Sequence, residues 1–179
     1  MESTSKSSKT IKKITRLSLF LALGIILNLV ESMIPLPIAI PGVKLGLANT
    51  IGLVILYYYS PKEYISIGFL RVLIVGLLRT GLFSVAFILS LSGWFLSTLI
   101  VVILYYLKKF SIYGLSCVSA VFHGVGQMIA VSIIYNTFGL VMYYPILMIS
   151  GIITGLLTAL LTSLVLLKVD HHIEHLFNS

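Results

Sequence analysis

The sequence predicts an all-α integral membrane protein, a bundle of six transmembrane helices with both termini on one side. Three observations lead there. Of the 179 residues, 59% are hydrophobic and only 9% are charged. Soluble domains carry about a quarter charged residues, and a soluble fold of this size has no way to hide so much apolar surface. Uncharged runs recur at the length that suits a bilayer, about 20 residues each. The basic residues behind the +7 net charge sit at the ends of those runs. That is the pattern of membrane topology, not of a compact basic domain, so nucleic acid is excluded as a partner.

Residues 17–30 carry no charge, and the first helix is expected from about Ile14 to Ile34. Its basic start and apolar core resemble a signal peptide, but Glu31 and prolines follow where a small-residue cleavage site would stand, so it reads as an uncleaved span. The stretch "ESMIPLPIAIPGVKLGLAN", residues 31–49, then interrupts the apolar chain. Pro35, Pro37 and Pro41 stiffen it and Gly42 and Gly46 allow close backbone approach, which suits a semi-rigid loop lying over one end of the bundle. Helix two is expected from Val43 to Tyr59, with Ser60-Pro61-Lys62-Glu63 as a tight turn after it. Helix three runs from that turn to Arg79 with Arg71 in its middle, and uncharged residues 80–107 give helix four, closed by Lys108-Lys109. Residues 110–167 contain no Lys, Arg, Asp or Glu and are long enough for two spans, with Asn136-Thr137-Phe138-Gly139 as the break. Helices five and six are expected at 112–135 and 144–168, with Pro145 in a first turn where its missing N–H costs little. Residues 1–10 and 170–179 read as flexible polar tails flanking a membrane domain at 11–169.

Six spans place Lys6, Lys9, Lys12, Lys13, Arg16, Lys62, Lys108, Lys109 and Lys168 on the side of the termini, and Lys44 and Arg79 on the other. The positive-inside rule then puts both termini in the cytoplasm. Cys117 stands alone, so no internal disulfide or zinc site is expected, and "HHIEH" at 171–175 has no second cluster to complete a metal site. No cofactor is expected.

Depth follows from the rise of about 1.5 Å per residue. Glu31 lies near the outer interface, with Asn28 one turn below it, and Asn49 sits about one turn inside the outer end of helix two. Arg79 ends helix three and Arg71 lies two turns deeper; His123 and Gln127, at i and i+4, share a face of helix five. Polar groups thus converge on the outer half, whereas Thr158, Thr162 and Ser163 toward the inner half suit helix packing. A charge inside a membrane costs several kcal/mol and faces a cavity or a partner, so Arg71 either meets a ligand or pairs with Glu31. Lys44, Arg71 and Arg79 together would make an anion-attracting mouth. The candidate ligand site is Glu31, Lys44, Asn49, Arg71, Arg79, His123 and Gln127; Trp94, near mid-helix, either packs or lines the same cavity. Ser18 and Ala22, four apart on the cytoplasmic half of helix one, form a small-residue face where a partner subunit would dock.

The run "ESMIPLPIAIPGVKLGLAN", then "LRVLIVGLLR" with Arg71 and Arg79, then "HGVGQ" at 123–127, resembles the heptaprenyl diphosphate synthase component I family over roughly residues 12–168. That family is grouped with the Gx transporters, beside the substrate-binding S components of energy-coupling factor (ECF) vitamin transporters. The resemblance implies a six-helix S-component-like bundle in a bacterial plasma membrane. It implies a first outer loop that caps a ligand near the outer face, and helix-one docking to an ECF coupling subunit and its ATPases. The residues fit a synthase poorly, because prenyl elongation needs paired carboxylates to hold magnesium on diphosphates, and only Glu31 and Glu63 lie near the membrane here. Walker A is absent as well, so energising would come from partners. The expected function is a non-enzymatic subunit binding and passing a small solute, vitamin-, flavin- or isoprenoid-related and suited to carrying negative charge. Two alternatives stand beside it: an accessory component of polyprenyl diphosphate or quinone synthesis, and a stand-alone secondary transporter.

Overall fold

The computed structural model describes residues 2–33, 46–137 and 139–177, which are 91% helical and contain no strand. The helices are α1 (Glu2–Met33), α2 (Leu47–Tyr58), α3 (Pro61–Val75), α4 (Val85–Leu107), α5 (Ile112–Ile134) and α6 (Tyr144–Phe177). A π turn (Gly76–Thr80) extends α3, and a 3₁₀ turn (Gly139–Tyr143) leads into α6. Four helical stretches are long and apolar enough to cross a membrane: Ser7–Met33, Val85–Leu107, Ile112–Ile134 and Tyr144–Val169. Their outward faces carry exposed apolar side chains such as Leu19, Phe95, Ile133 and Leu167. A surface of this kind is stable only against lipid, so the chain is a membrane protein.

The boundaries differ from expectation where a cap decides them. The expected helix four begins at 80, but α4 begins at Val85, because Ser84 caps it by accepting from the Phe87 N–H at 3.1 Å. Gly81 and Phe83 before it take positive φ (79° and 68°), which no continuing helix allows. Ser60-Pro61-Lys62-Glu63, expected as a tight turn, is instead the N-cap and first turn of α3, with Pro61 opening the helix behind Ser60. The polar ends expected as tails carry helix, back to Glu2 and on to Phe177. The proline loop, with Lys44, lies outside the described residues.

Packing runs around a ring, α1 on α2 and α3, α3 on α4, α4 on α5, α5 on α6, with α2 also reaching α6. Among the described residues only α2 is enclosed, and Ala48, Ile51, Leu53, Val54, Ile55 and Leu56 are all buried. A helix apolar on every face belongs inside. Its lower half meets Tyr64, Val101 and Leu115 in a dry core flanked by Leu17 and Phe20. The α4–α5 and α5–α6 seams are close because small residues face each other. A Cβ on Gly126 would stand 2.5 Å from the Ser92 carbonyl oxygen, and Gly155 lets the Ser116 hydroxyl donate to its carbonyl at 2.7 Å. At the Lys108 end, Lys13 and the Ser60 hydroxyl both donate to Glu63 in the polar first turn of α3. The Lys13 bond, then that of Ser60, hold the Glu63 carboxyl down to about 2.

Candidate functional site

At the opposite end from Lys108 the helices part around a cavity of about 300 Å³. Glu31 enters from α1, Asn49 from α2, Arg71 and Arg79 from α3 and its π turn, and His123 and Gln127 from α5; all six line it. Of the sequence-derived candidates only Lys44 is not placed, since it lies outside the described residues. Ser18 and Ala22 are away from the cavity, exposed on α1.

Each side chain is aimed by a local feature. Glu31 is buried, with 6% of its surface exposed, and its carboxylate accepts from the Gly46 N–H at 2.6 Å. Gly46 is the N-cap of α2 at φ 82°, and a side chain there would run into the Thr158 hydroxyl. A carboxylate at this helix N-terminus is favoured by the dipole. Arg71 reaches across to α2, donating to the Ala48 carbonyl and, at 3.1 Å, to Asn49 Oδ1. Among the described residues Glu31 and Arg71 form no ion pair, although their opposite charges act on each other across the cavity. Of the two partners the sequence allows Arg71, the direct Glu31 pair is thus absent, and the α2 backbone and amide hold the guanidinium instead.

The π turn decides where Arg79 goes. Eight residues of α-helix would carry Arg79 well round from Arg71; an i→i+5 turn needs more residues per revolution and keeps both on one face. Gly76 at its start packs against the Phe87 ring, where no side chain would fit. Arg79 ends exposed at the cavity's mouth. On α5, His123 sits over Gly93 of α4, whose missing Cβ would lie 2.9 Å from the imidazole, and Gln127 follows one turn toward the mouth. Trp94 does both things expected of it. Its indole N–H edge lies over Gly68 and its ring tilts onto Phe69 at 5.5 Å, and it also lines the cavity.

Beneath the cavity lies a chamber of about 30 Å³, the room of one water. Asn49, Leu53, Arg71, Trp94, Ser119 and His123 line both spaces and so form the partition between them.

Sequence reasoning missed the hydroxyl wall. Ser150, Thr154 and Thr158 recur every four residues on α6 and face the cavity. The spacing was visible, but the same pattern marks helix packing, and Thr158 serves both by lying against Gly46. Asn28 was placed one turn below Glu31 without a role, and it too lines the cavity.

Fold and site together define a helical membrane protein with a charged, solute-sized cavity near one end. The chain belongs to the heptaprenyl diphosphate synthase component I family, whose model matches residues 20–165. No curated protein and no solved structure matches it.

Proposed function

We propose that this protein is a non-enzymatic, substrate-binding membrane subunit that takes up a small solute through the cavity around Arg71. The observation that carries the reading is the placement of Arg71. A guanidinium far from either end of the bundle is costly in a membrane and persists where a cavity uses it. Here it lines a cavity of about 300 Å³ with Arg79 at the mouth. In this reading all six helices span. The 12 residues of α2 rise only about 18 Å, which makes it the shortest of the six. The termini lie in the cytoplasm of a bacterial cell, and the cavity opens outward. Thr137→Cys in a Cys117→Ala background should label from outside, and Ser111→Cys in the same background only after permeabilisation; the reverse would turn the site inward.

Inward release against a gradient would use an ECF-type coupling subunit and ATPases, for which the exposed Ser18 and Ala22 offer a face on α1. Accessory work in prenyl diphosphate synthesis is the second reading, favoured by the family's description. The cavity's size speaks against it as a binding site for the whole product: 300 Å³ is roughly ten water volumes, far less than a heptaprenyl chain. Gentle purification from native membranes separates the two. A small solute with coupling ATPases supports uptake, whereas a soluble prenyl synthase co-purifying without them would replace it.

A further inference from the structure

The two sides of the cavity offer opposite hydrogen-bonding chemistry. Acceptors dominate the side built by α1 and α6. The Glu31 carboxylate only accepts, and one backbone N–H, that of Gly46, is its hydrogen bond among the described residues. Asn28 Oδ1, one turn below, is buried with no hydrogen-bond partner among those residues. Ser150 and Thr154 each donate their one O–H to a backbone carbonyl of their own helix, Leu147 at 2.9 Å and Gly151 at 3.2 Å, which leaves lone pairs for the cavity. Gly46 joins these helices into one wall, with its N–H on Glu31 and its bare Cα letting the Thr158 hydroxyl, which donates to the Thr154 carbonyl at 2.8 Å, lie against it.

Donors dominate the α3 side. Arg71 and Arg79 have N–H groups and no acceptor. Arg71 uses two donors on Ala48 and Asn49 and keeps others. The two walls do not neutralise each other, because Glu31 and Arg71 stop short of an ion pair.

We propose that the solute is a small zwitterion, its cationic nitrogen against Asn28, Glu31 and Thr154 and its acid group against Arg71 and Arg79. This deepens the uptake reading and rests on it. An acid without the nitrogen brings negative charge beside a buried carboxylate and leaves Asn28 Oδ1 unsatisfied, a cost of the kind that lets polar sites reject incomplete ligands. An amine without the acid faces two guanidiniums. Only a ligand with both ends satisfies both walls in a space of about 300 Å³.

The test uses the purified full chain in detergent with three matched probe sets: ω-amino acids from glycine to 6-aminohexanoate, the straight-chain carboxylates of the same lengths, and the corresponding primary amines. Affinity is read from ligand-induced shifts in the thermal unfolding midpoint. At least one ω-amino acid should bind ten-fold or more tighter than its matched acid and its matched amine. Glu31→Gln keeps an oxygen for the Gly46 N–H and so keeps the fold. It should weaken the zwitterion roughly ten- to a hundred-fold while leaving or improving the acid. Carboxylates or amines that bind as well as the zwitterions, or a Glu31→Gln variant that binds zwitterions as the wild type does, would overturn the proposal while leaving a solute site in place. No shift from any of the three sets at millimolar concentration would remove the solute site as well, and the proposal with it.

Discussion

The two ends of this bundle solve opposite problems with the same six helices. Around Tyr64, Val101 and Leu115 the helices close on α2, and Ile55 and Val101 have no exposed surface. Around Glu31 and Arg79 the same helices part over a cavity. The closed end is apolar and fixes where the helices stand. The open end then holds charges at distances that side-chain pairing alone would collapse. Arg71 is the boundary: its stem packs near Gly24 of α1, and its head is tied to α2 short of Glu31. A cavity with uncancelled charges depends on a rigid base, and substitutions at the two ends should therefore fail differently.

The largest loss of stability is expected at the closed end. Ile55→Ala leaves a void where nothing can collapse, and it should cost about 2–5 kcal/mol. The loss should fall toward the lower part of that range, since lipid rather than water is the alternative surrounding. Equilibrium unfolding in mixed micelles measures it, and affinity of the surviving folded protein should be unchanged. A selective loss of affinity with intact stability would break the comparison.

Gly46→Ala sits at the join between the two ends. The left-handed backbone and the Thr158 hydroxyl both oppose the new methyl. A cost of about 1–3 kcal/mol is expected, together with weaker binding as Glu31 loses its anchor. Ser84→Ala removes the α4 cap and should cost about 0.5–2 kcal/mol. Because α4 begins beside the cavity at Ala86 and Phe87, fraying there should appear as faster hydrogen exchange in the first turn of α4 and nowhere in the closed end.

The smallest effect concerns acid. The Glu63 carboxyl titrates at about 2 when folded, against about 4.3 in an unfolded chain. Its contribution is therefore present above pH 4.3 and is lost as pH falls from there through 2. Lys13 is half exposed, so solvent screens the pair and the contribution should be only about 0.2–1 kcal/mol. Unfolding midpoints of wild type and Glu63→Gln should converge over that window.

Much of the open end was legible because lipid makes polar residues rare. Counting rise per residue along uncharged runs brought Glu31, Asn49, Arg71, Arg79, His123 and Gln127 to the same half of the bundle, and all six line one cavity. The start of α4 was misplaced because no charge or proline marks it; the signal was Ser84 after Gly81, a cap that an apolar run conceals. The π turn was not legible, since it depends on Gly76 meeting the Phe87 ring, a contact between helices. The α6 hydroxyls were ambiguous for a chemical reason: a serine or threonine that donates to its own helix looks the same in sequence whether its lone pairs face a neighbour or a cavity.

The most direct measurement is native mass spectrometry of wild type, Arg71→Ala and Ile55→Ala, each purified gently from cells and paired with its unfolding midpoint. The proposed site predicts a small solute retained on wild type. Arg71→Ala should lose it, with binding weakened roughly ten- to a hundred-fold. Ile55→Ala should be less stable yet keep the solute on its folded fraction. Solute held equally well by Arg71→Ala would contradict the account, because the charge around which the cavity is built would then not be used by what the cavity holds.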